Sequence, residues 1–185
     1  LPKNFTTNKT GRIRHNTVLH VKTSDTAKQI IKNLLSDAKE KQGRPSMAYK
    51  EEGYHVFNLM ALARLYYALG AKPFYSKKKF IRSINYLTDD ACAQGLANCR
   101  DDLDSSLNNQ IEDAEEKEIN IYGYPYNVPG FELLFAHKVF SNLIPEDVVS
   151  RCIQNQFNYT FDAAQNKFGI RCHDKKTINY RVYEY

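Results

Sequence analysis

The sequence predicts an α+β fold in which a helix-rich middle carries short strands at both ends. Apolar residues recur at helical spacing through much of residues 24–153, whereas β-branched and aromatic residues mark strands near both termini. No long Gly- or Pro-rich linker divides the chain, and its 185 residues, 42% of them hydrophobic, suit one domain with a buried core. We therefore expect a flexible polar arm over residues 1–10 and a single α+β domain over residues 11–185, with a candidate lobe boundary near residue 120.

The first half of the chain is predicted to hold a strand followed by helices. Residues 11–22 lack helical spacing and contain β-branched residues, which favours one strand or a short hairpin. Residues 27–38 carry an apolar stripe at i, i+3, i+4 and i+7, which indicates an amphipathic helix. Residues 57–69 are apolar on nearly all sides and end at Gly70, as expected of a buried central helix.

Further helices are predicted on both sides of an aromatic segment at residues 119–126. Residues 76–87 and 103–114 each carry an apolar stripe, and a helical region weakened by a glycine lies between them. Beyond the aromatic segment, residues 131–140 and 148–153 have the composition of two short helices.

The tail is predicted to be a three-stranded antiparallel meander. Its three segments, 157–161, 168–172 and 178–183, are short, aromatic and separated by polar turns. Ile178 and Val182 lie in a segment that alternates apolar and polar residues, which favours a half-buried strand. Together with the N-terminal strand, the meander is expected to form a short antiparallel sheet.

Several weak signals agree with export from the cell. The acceptor pattern Asn-X-Ser/Thr occurs at Asn4, Asn8 and Asn158, which predicts glycosylation sites. The chain begins at Leu1 rather than Met, which fits a removed leader as well as a fragment of a longer protein. Together these signals predict a secreted protein. We expect no membrane span, because the longest apolar stretch is short and interrupted by polar residues.

The even number of cysteines predicts disulfides in an exported protein. The three possible pairings stay open, since sequence alone does not choose between them. On one unbroken helix Cys92 and Cys99 would be separated by about 10 Å in rise, beyond the reach of a disulfide, so their pairing requires a break near Gly95. The predicted disulfide residues are Cys92, Cys99, Cys152 and Cys172.

The chain lacks the motifs of many enzyme classes. It has no Gly-rich phosphate loop, nucleophile elbow, paired-cysteine redox motif or HExxH metalloprotease motif. Its histidines and cysteines are too scattered for the paired spacing of a zinc site, so we expect neither a metal nor a cofactor. The residues that could perform acid/base chemistry are Glu132 with either His137 or His173, although a lone surface histidine is the commoner explanation of such an imidazole.

Charge and aromatic residues indicate binding surfaces. The formal net charge is +5, and it is uneven, because residues 72–82 are cationic and residues 101–118 are acidic. A basic run with neighbouring aromatics is typical of an RNA or anion surface, and equally of a solvated helix face. Clusters of tyrosine suit protein recognition. The candidate anion-binding residues are Lys77, Lys78, Lys79 and Arg82, and the tyrosines include Tyr122, Tyr124, Tyr126, Tyr180, Tyr183 and Tyr185.

The tail FDAAQNKFGIRCHDKKTINYRVYEY resembles the closing strands of small secreted fungal ribonucleases and of ribonuclease-like effectors from plant-pathogenic fungi. The segment YGYPYNVPGFELL is similar to the Tyr-Pro strand region of the same families. The resemblance covers about the last third of the chain and implies that His173 is the catalytic acid and Glu132 the base. An arginine that these families carry before the first tail strand is replaced near Asn158, and extra helices are predicted. The resemblance therefore implies an elaborated or non-catalytic relative.

Three functions follow as hypotheses. The first is a secreted, non-enzymatic interaction protein, such as a pathogen virulence effector that binds a host protein or another host macromolecule. The second is an RNA-binding or RNA-cleaving ribonuclease-like module. The third is an intracellular or viral accessory protein with reduced cysteines.

Overall fold

A computed structural model describes residues 5–14, 47–70, 72–97, 120–172 and 174–183. It confirms the α+β class, since helices dominate and a small antiparallel sheet accompanies them. The helices are α1 (Met47–Gly53), α2 (His55–Leu69), α3 (Lys78–Asn85), α4 (Asp90–Ala97), α5 (Pro129–Val139), α6 (Glu146–Thr160) and α7 (Lys175–Tyr183), a 3-10 turn spans Tyr86–Thr88, and the strands are β1 (Phe161–Asp162) and β2 (Lys167–Phe168).

The core forms where α5 packs between α2 and α6. Val56 and Leu59 of α2 and Leu133 and Ala136 of α5 are completely buried. Burial of such side chains stabilises the fold by about 1.5–3 kcal/mol each for the larger ones. The helix predicted over residues 57–69 is therefore confirmed as a central element, and the one predicted over 131–140 is confirmed as its neighbour.

A second, smaller core holds the tail. Antiparallel strands β1 and β2 pair Phe161 with Phe168, and the carbonyl of Thr160 accepts hydrogen bonds from the two backbone amides that follow β2. Phe168 packs with Val128 and Ile178, so the hairpin and α7 share one apolar cluster. The sheet positions α7 beside the segment that precedes α5.

The third strand predicted over residues 178–183 is wrong, because this segment lies in α7. Asp174 begins the helix, since its carboxylate accepts hydrogen bonds from the Lys176 and Thr177 amides at 3.1 and 3.0 Å. Ile178 and Val182 are four residues apart and pack against the same cluster, so their spacing serves one helical face as well as an alternating strand. The final aromatic strand implied by the ribonuclease resemblance is also this helix.

The other tail boundaries change as well. Helix α6 continues to Thr160, so the strand predicted over residues 157–161 is helical except at its last residue. The helices predicted over residues 27–38 and 103–114 lie outside the described residues, as does most of the N-terminal strand predicted over 11–22.

Residues 5–14 pack onto the helical core. Thr7 and Ile13 form an isolated antiparallel bridge, and the Phe5 ring meets the Phe74 ring edge to face at 5.0 Å between centroids. The side-chain oxygen of Asn8 closes the turn by accepting hydrogen bonds from the Gly11 and Arg12 amides, each at 2.9 Å. The part of the predicted flexible arm that the structure describes thus makes specific contacts.

Buried polar groups join this segment to α1 and α2. The guanidinium of Arg12 contacts Glu51 at 3.3 Å and Glu52 at 2.7 Å, with all three side chains nearly inaccessible. The Ile13 amide donates to Nδ1 of His55 at 3.2 Å, so Nε2 carries the proton and donates to the Ser83 carbonyl at 2.9 Å. Each polar group therefore has a partner that offsets its loss of water.

None of the described helices is long and apolar enough to cross a membrane.

Stability should fall as the pH is lowered through the titration of His55. Complete burial lowers the pKa of His55 from 6.5 to about 4. Between these values the unfolded chain binds a proton that the folded chain does not, so acidification favours unfolding by about 3 kcal/mol, at 1.36 kcal/mol per pKa unit. Urea unfolding at a series of pH values should show this loss in the wild type and a smaller loss in His55→Gln. Equal losses in both proteins would contradict the assignment.

Candidate functional site

Four parts of the fold meet at one surface region around Arg181. They are the start of α2, the loop before α5, the first turn of α5 and the last turn of α7. We call this region the tyrosine–arginine site, and its residues are Tyr54, Phe57, Tyr122, Tyr126, Asn127, Glu132 and Arg181.

Asn127 fixes the backbone of the site. Its buried side-chain amide donates to the carbonyls of Gly53 at 2.9 Å and Tyr122 at 2.7 Å, which joins the loop to the end of α1. Gly53 permits this approach, because a Cβ atom there would clash with the Cβ of Tyr122. The remaining side-chain oxygen of Asn127 accepts a hydrogen bond from Nη1 of Arg181 at 3.2 Å.

The guanidinium of Arg181 is held on its faces by rings and at its edge by polar groups. Its Cζ atom lies 5.0 Å from the Tyr126 ring centroid and 5.4 Å from that of Phe57, within cation–π range. Nη1 is also 3.6 Å from an oxygen of Glu132, a side chain with no exposed surface. Because Glu132 is withdrawn from water, the nearby cation stabilises its ionised form.

Three tyrosines form the outer wall of the site. The Tyr54 ring centroid lies 6.0 Å from that of Tyr122 and 6.1 Å from that of Tyr126. Lys50 extends its Nζ to 5.3 Å from the Tyr122 centroid. Burial, together with the charge and hydrogen bond of Tyr126, raises the pKa of Tyr54 to about 12. The Tyr54 phenol is therefore protonated at neutral pH and acts as a hydrogen-bonding group rather than a base.

A groove of about 450 Å³ continues from the site between α2 and α7. Phe57 and Arg181 belong to both, so a ligand in the groove would touch the rings and the guanidinium together. Tyr180 forms an exposed edge of the groove, with 70% of its surface accessible. The combination of ring faces, a fixed cation and hydroxyl groups suits a ligand that has both an apolar face and several hydrogen-bonding groups.

Glu132 and His137, two of the residues predicted for acid/base catalysis, have different partners in the structure. Glu132 lies in the tyrosine–arginine site, but His137 donates its Nδ1 proton to the Ile144 carbonyl at 2.9 Å, in the turn that follows α5. His173 lies outside the described residues. Glu132 is thus placed beside a cation, and its pairing with an imidazole stays a prediction.

The sequence does not single out Arg181 or Asn127. Arg181 lies at a polar position of the segment that alternates apolar and polar residues, and Asn127 ends the Tyr-rich segment expected to recognise a protein. The segment YGYPYN was the usable signal, because two of its three tyrosines border the site. The third, Tyr124, is buried in the core and stacks on Tyr159 at 5.4 Å.

The predicted anion-binding residues lie on a different face. Lys77, Lys78 and Lys79 are exposed at the start of α3, as expected of either a binding surface or a solvated helix face. Arg82 is half-buried, and its backbone and side chain pack close to Gly11. The four basic residues therefore do not present one uniform surface.

The cysteines are interior residues. Cys92, Cys152 and Cys172 are buried in the described part of the chain, and Cys99 lies outside it. Burial raises the pKa of Cys92 and of Cys152, so both thiols stay protonated at neutral pH. Disulfide pairing stays a prediction.

The remaining predicted sites are dispersed. Asn158 is exposed on α6, Asn8 forms the turn described above, and Asn4 lies outside the described residues. Within the five described segments no group of three or more His, Cys, Asp or Glu side chains could hold a metal ion.

One curated protein is similar to this chain. It is archaeal glycosylation protein Q from Haloferax volcanii, which is 28% identical over 163 residues. The match covers 88% of this chain but spans only 38% of that protein's length. No protein-family model matches the chain, and no solved structure matches it.

A double-mutant cycle should show strong coupling between substitutions of Glu132 and Arg181. Arg181→Met removes the cation that lies 3.6 Å from the buried carboxylate of Glu132 and should lower the free energy of unfolding by about 3 kcal/mol. The pair Glu132→Gln and Arg181→Met should lose less than the sum of the two single losses, with a coupling of about 1–3 kcal/mol in urea unfolding at neutral pH. Strict additivity would contradict a direct interaction.

Proposed function

We propose that this chain works in glycosylation by binding a carbohydrate at the tyrosine–arginine site. The observation that carries the proposal is the setting of Arg181, whose planar guanidinium lies against two rings while its edge meets Asn127 and Glu132. These contacts hold the cation in one orientation before any ligand arrives, which reduces the entropy lost on binding.

A sugar matches this chemistry. Its C–H face is apolar and can pack on an aromatic ring, and its hydroxyl and ring oxygens accept hydrogen bonds. Tyr126 is 37% exposed and offers such a ring, and the groove beside it is large enough for a saccharide unit. The guanidinium of Arg181, which carries five N–H groups, supplies hydrogen-bond donors.

The similarity to archaeal glycosylation protein Q supports the same process. That protein is named for glycosylation, and the aligned region covers 88% of this chain. Because the chain spans little more than a third of that protein, we propose a shared recognition module rather than the whole protein's activity.

We propose carbohydrate binding without catalysis, which agrees with the non-enzymatic interaction protein expected from the sequence. RNA cleavage by Glu132 would require this carboxylate to leave Arg181 and meet both a ribose hydroxyl and an acid. Secretion, virulence and a host partner stay predictions from the sequence.

Tyr126→Ala should weaken saccharide binding about tenfold, because a packing ring is worth roughly 1.4 kcal/mol. A panel of neutral and charged oligosaccharides is screened by saturation-transfer NMR, and the best ligand is titrated calorimetrically. Tyr183→Ala is the matched control, since Tyr183 is 91% exposed on α7 and does not line the groove.

The control should bind within about twofold of the wild type, a difference of roughly 0.4 kcal/mol. Absence of binding to every saccharide, or equal weakening by both substitutions, would contradict the proposal. A parallel titration with single-stranded RNA tests the alternative, because RNA binding lost in Tyr126→Ala would assign the site to nucleic acid.

A further inference from the structure

A second cavity lies at the other end of α2. It is open to solvent and has a volume of about 570 Å³ between the last turns of α2, the turn before α3 and the turn after α5. Tyr66 lines this cavity, whereas Phe57 lines the groove described above. Because an α-helix rises 1.5 Å per residue, these two residues are about 13 Å apart along the axis of α2. The two lining sets share no residue.

Aromatic rings form one wall of the second cavity. Tyr66 packs edge to face against Tyr75 at 4.9 Å and against Phe140 at 5.3 Å between centroids. Tyr75 is fixed because its hydroxyl donates to the Leu62 carbonyl at 3.1 Å. These rings are held by the core, so they offer a preformed surface for a planar ring.

The cavity is also lined by polar and cationic residues. Lys72 and Ser76 border it from the turn before α3, and Ser141 and Asn142 border it from the turn after α5. The exposed basic run Lys77–Lys79 follows Ser76 directly, and neither the lining residues nor the first turn of α3 includes an acidic side chain. Electrostatics at this rim therefore favours an anion.

We propose that this second cavity binds a nucleoside phosphate, with the base against the aromatic wall and the phosphates beside the lysines. The ribose hydroxyls can then meet the serine and asparagine side chains of the two turns. The volume lies in the range of small-ligand sites. In this arrangement the basic run and the aromatic residues next to it in the sequence contribute to the same binding site.

The test uses uridine and adenosine diphosphates as probes, titrated into the ¹⁵N-labelled chain by NMR and calorimetry. We expect binding that shifts the amides of both turns. Uridine and adenosine should bind at least tenfold more weakly than their diphosphates, because they lack the charge that the lysines attract. Inorganic phosphate alone should leave the aromatic wall unperturbed.

Two substitutions probe the two halves of the proposal. Ser141→Trp fills the cavity from an exposed turn and should abolish binding, and the double substitution Lys72→Ala with Lys77→Ala should weaken it at least tenfold. Lys167→Ala is the matched control, because Lys167 is exposed on β2 away from the cavity and should leave affinity unchanged.

Unchanged diphosphate binding in Ser141→Trp, or equal affinity for nucleoside and diphosphate, would overturn the proposal. Shifts produced by single-stranded RNA but by neither diphosphate would also overturn it and assign the lysines to a polymer surface. Saccharide binding at the tyrosine–arginine site is measured separately, so failure of either proposal leaves the other intact.

Discussion

The burial of Glu132 is the constraint on which the site depends. A carboxylate without contact with water is costly unless a cation and hydrogen bonds compensate it, and Arg181 supplies the cation from a distant part of the chain. To reach Glu132, Arg181 must come from a helix packed beside the loop that precedes α5. The ion pair therefore ties the position of α7 to that of α5 and fixes the shape of the tyrosine–arginine site.

A second buried ionic cluster, formed by Arg12, Glu51 and Glu52, fixes the N-terminal segment of residues 5–14. Arg12 brings residues 5–14 onto α1 through two glutamates, and His55 receives the neighbouring amide in its neutral form. Both networks place polar residues inside an otherwise apolar core, where each group needs a specific partner. Such networks favour one arrangement of the helices over others that would leave charges unpaired.

Helical periodicity was sufficient to predict the core. The apolar stretch ending at Gly70 and the apolar stripe of α3 require burial against other elements, and both segments are helices with buried residues in the structure. The tail was harder, because Ile178 and Val182 satisfy both an alternating strand and one face of a helix. The cap at Asp174 and the buried cluster at the hairpin decide for the helix, and only the second of these depends on contacts distant in sequence.

The site was predictable only in part for the same reason. Glu132 and the Tyr-rich segment stand out locally, but the link from Asn127 to Arg181 spans 54 residues and depends on how α7 docks. A local pattern predicts residue types, whereas the pairing of a buried charge with its cation is a property of the folded chain. The basic segment at residues 72–82 and the acidic segment at residues 101–118 likewise indicate local charge, but not which groups these charges face in the folded chain.

Hydrogen exchange of α7 tests most directly whether the Glu132–Arg181 pair organises the site. The amides of Lys175–Tyr183 are compared between the wild type and Glu132→Gln, with the amides of His55–Leu69 as the internal reference. Loss of the charge should speed exchange in α7 at least tenfold, equivalent to about 1.4 kcal/mol of local stability, and leave α2 nearly unchanged. Unchanged exchange in α7, or the same increase in both helices, would contradict the role assigned to this pair.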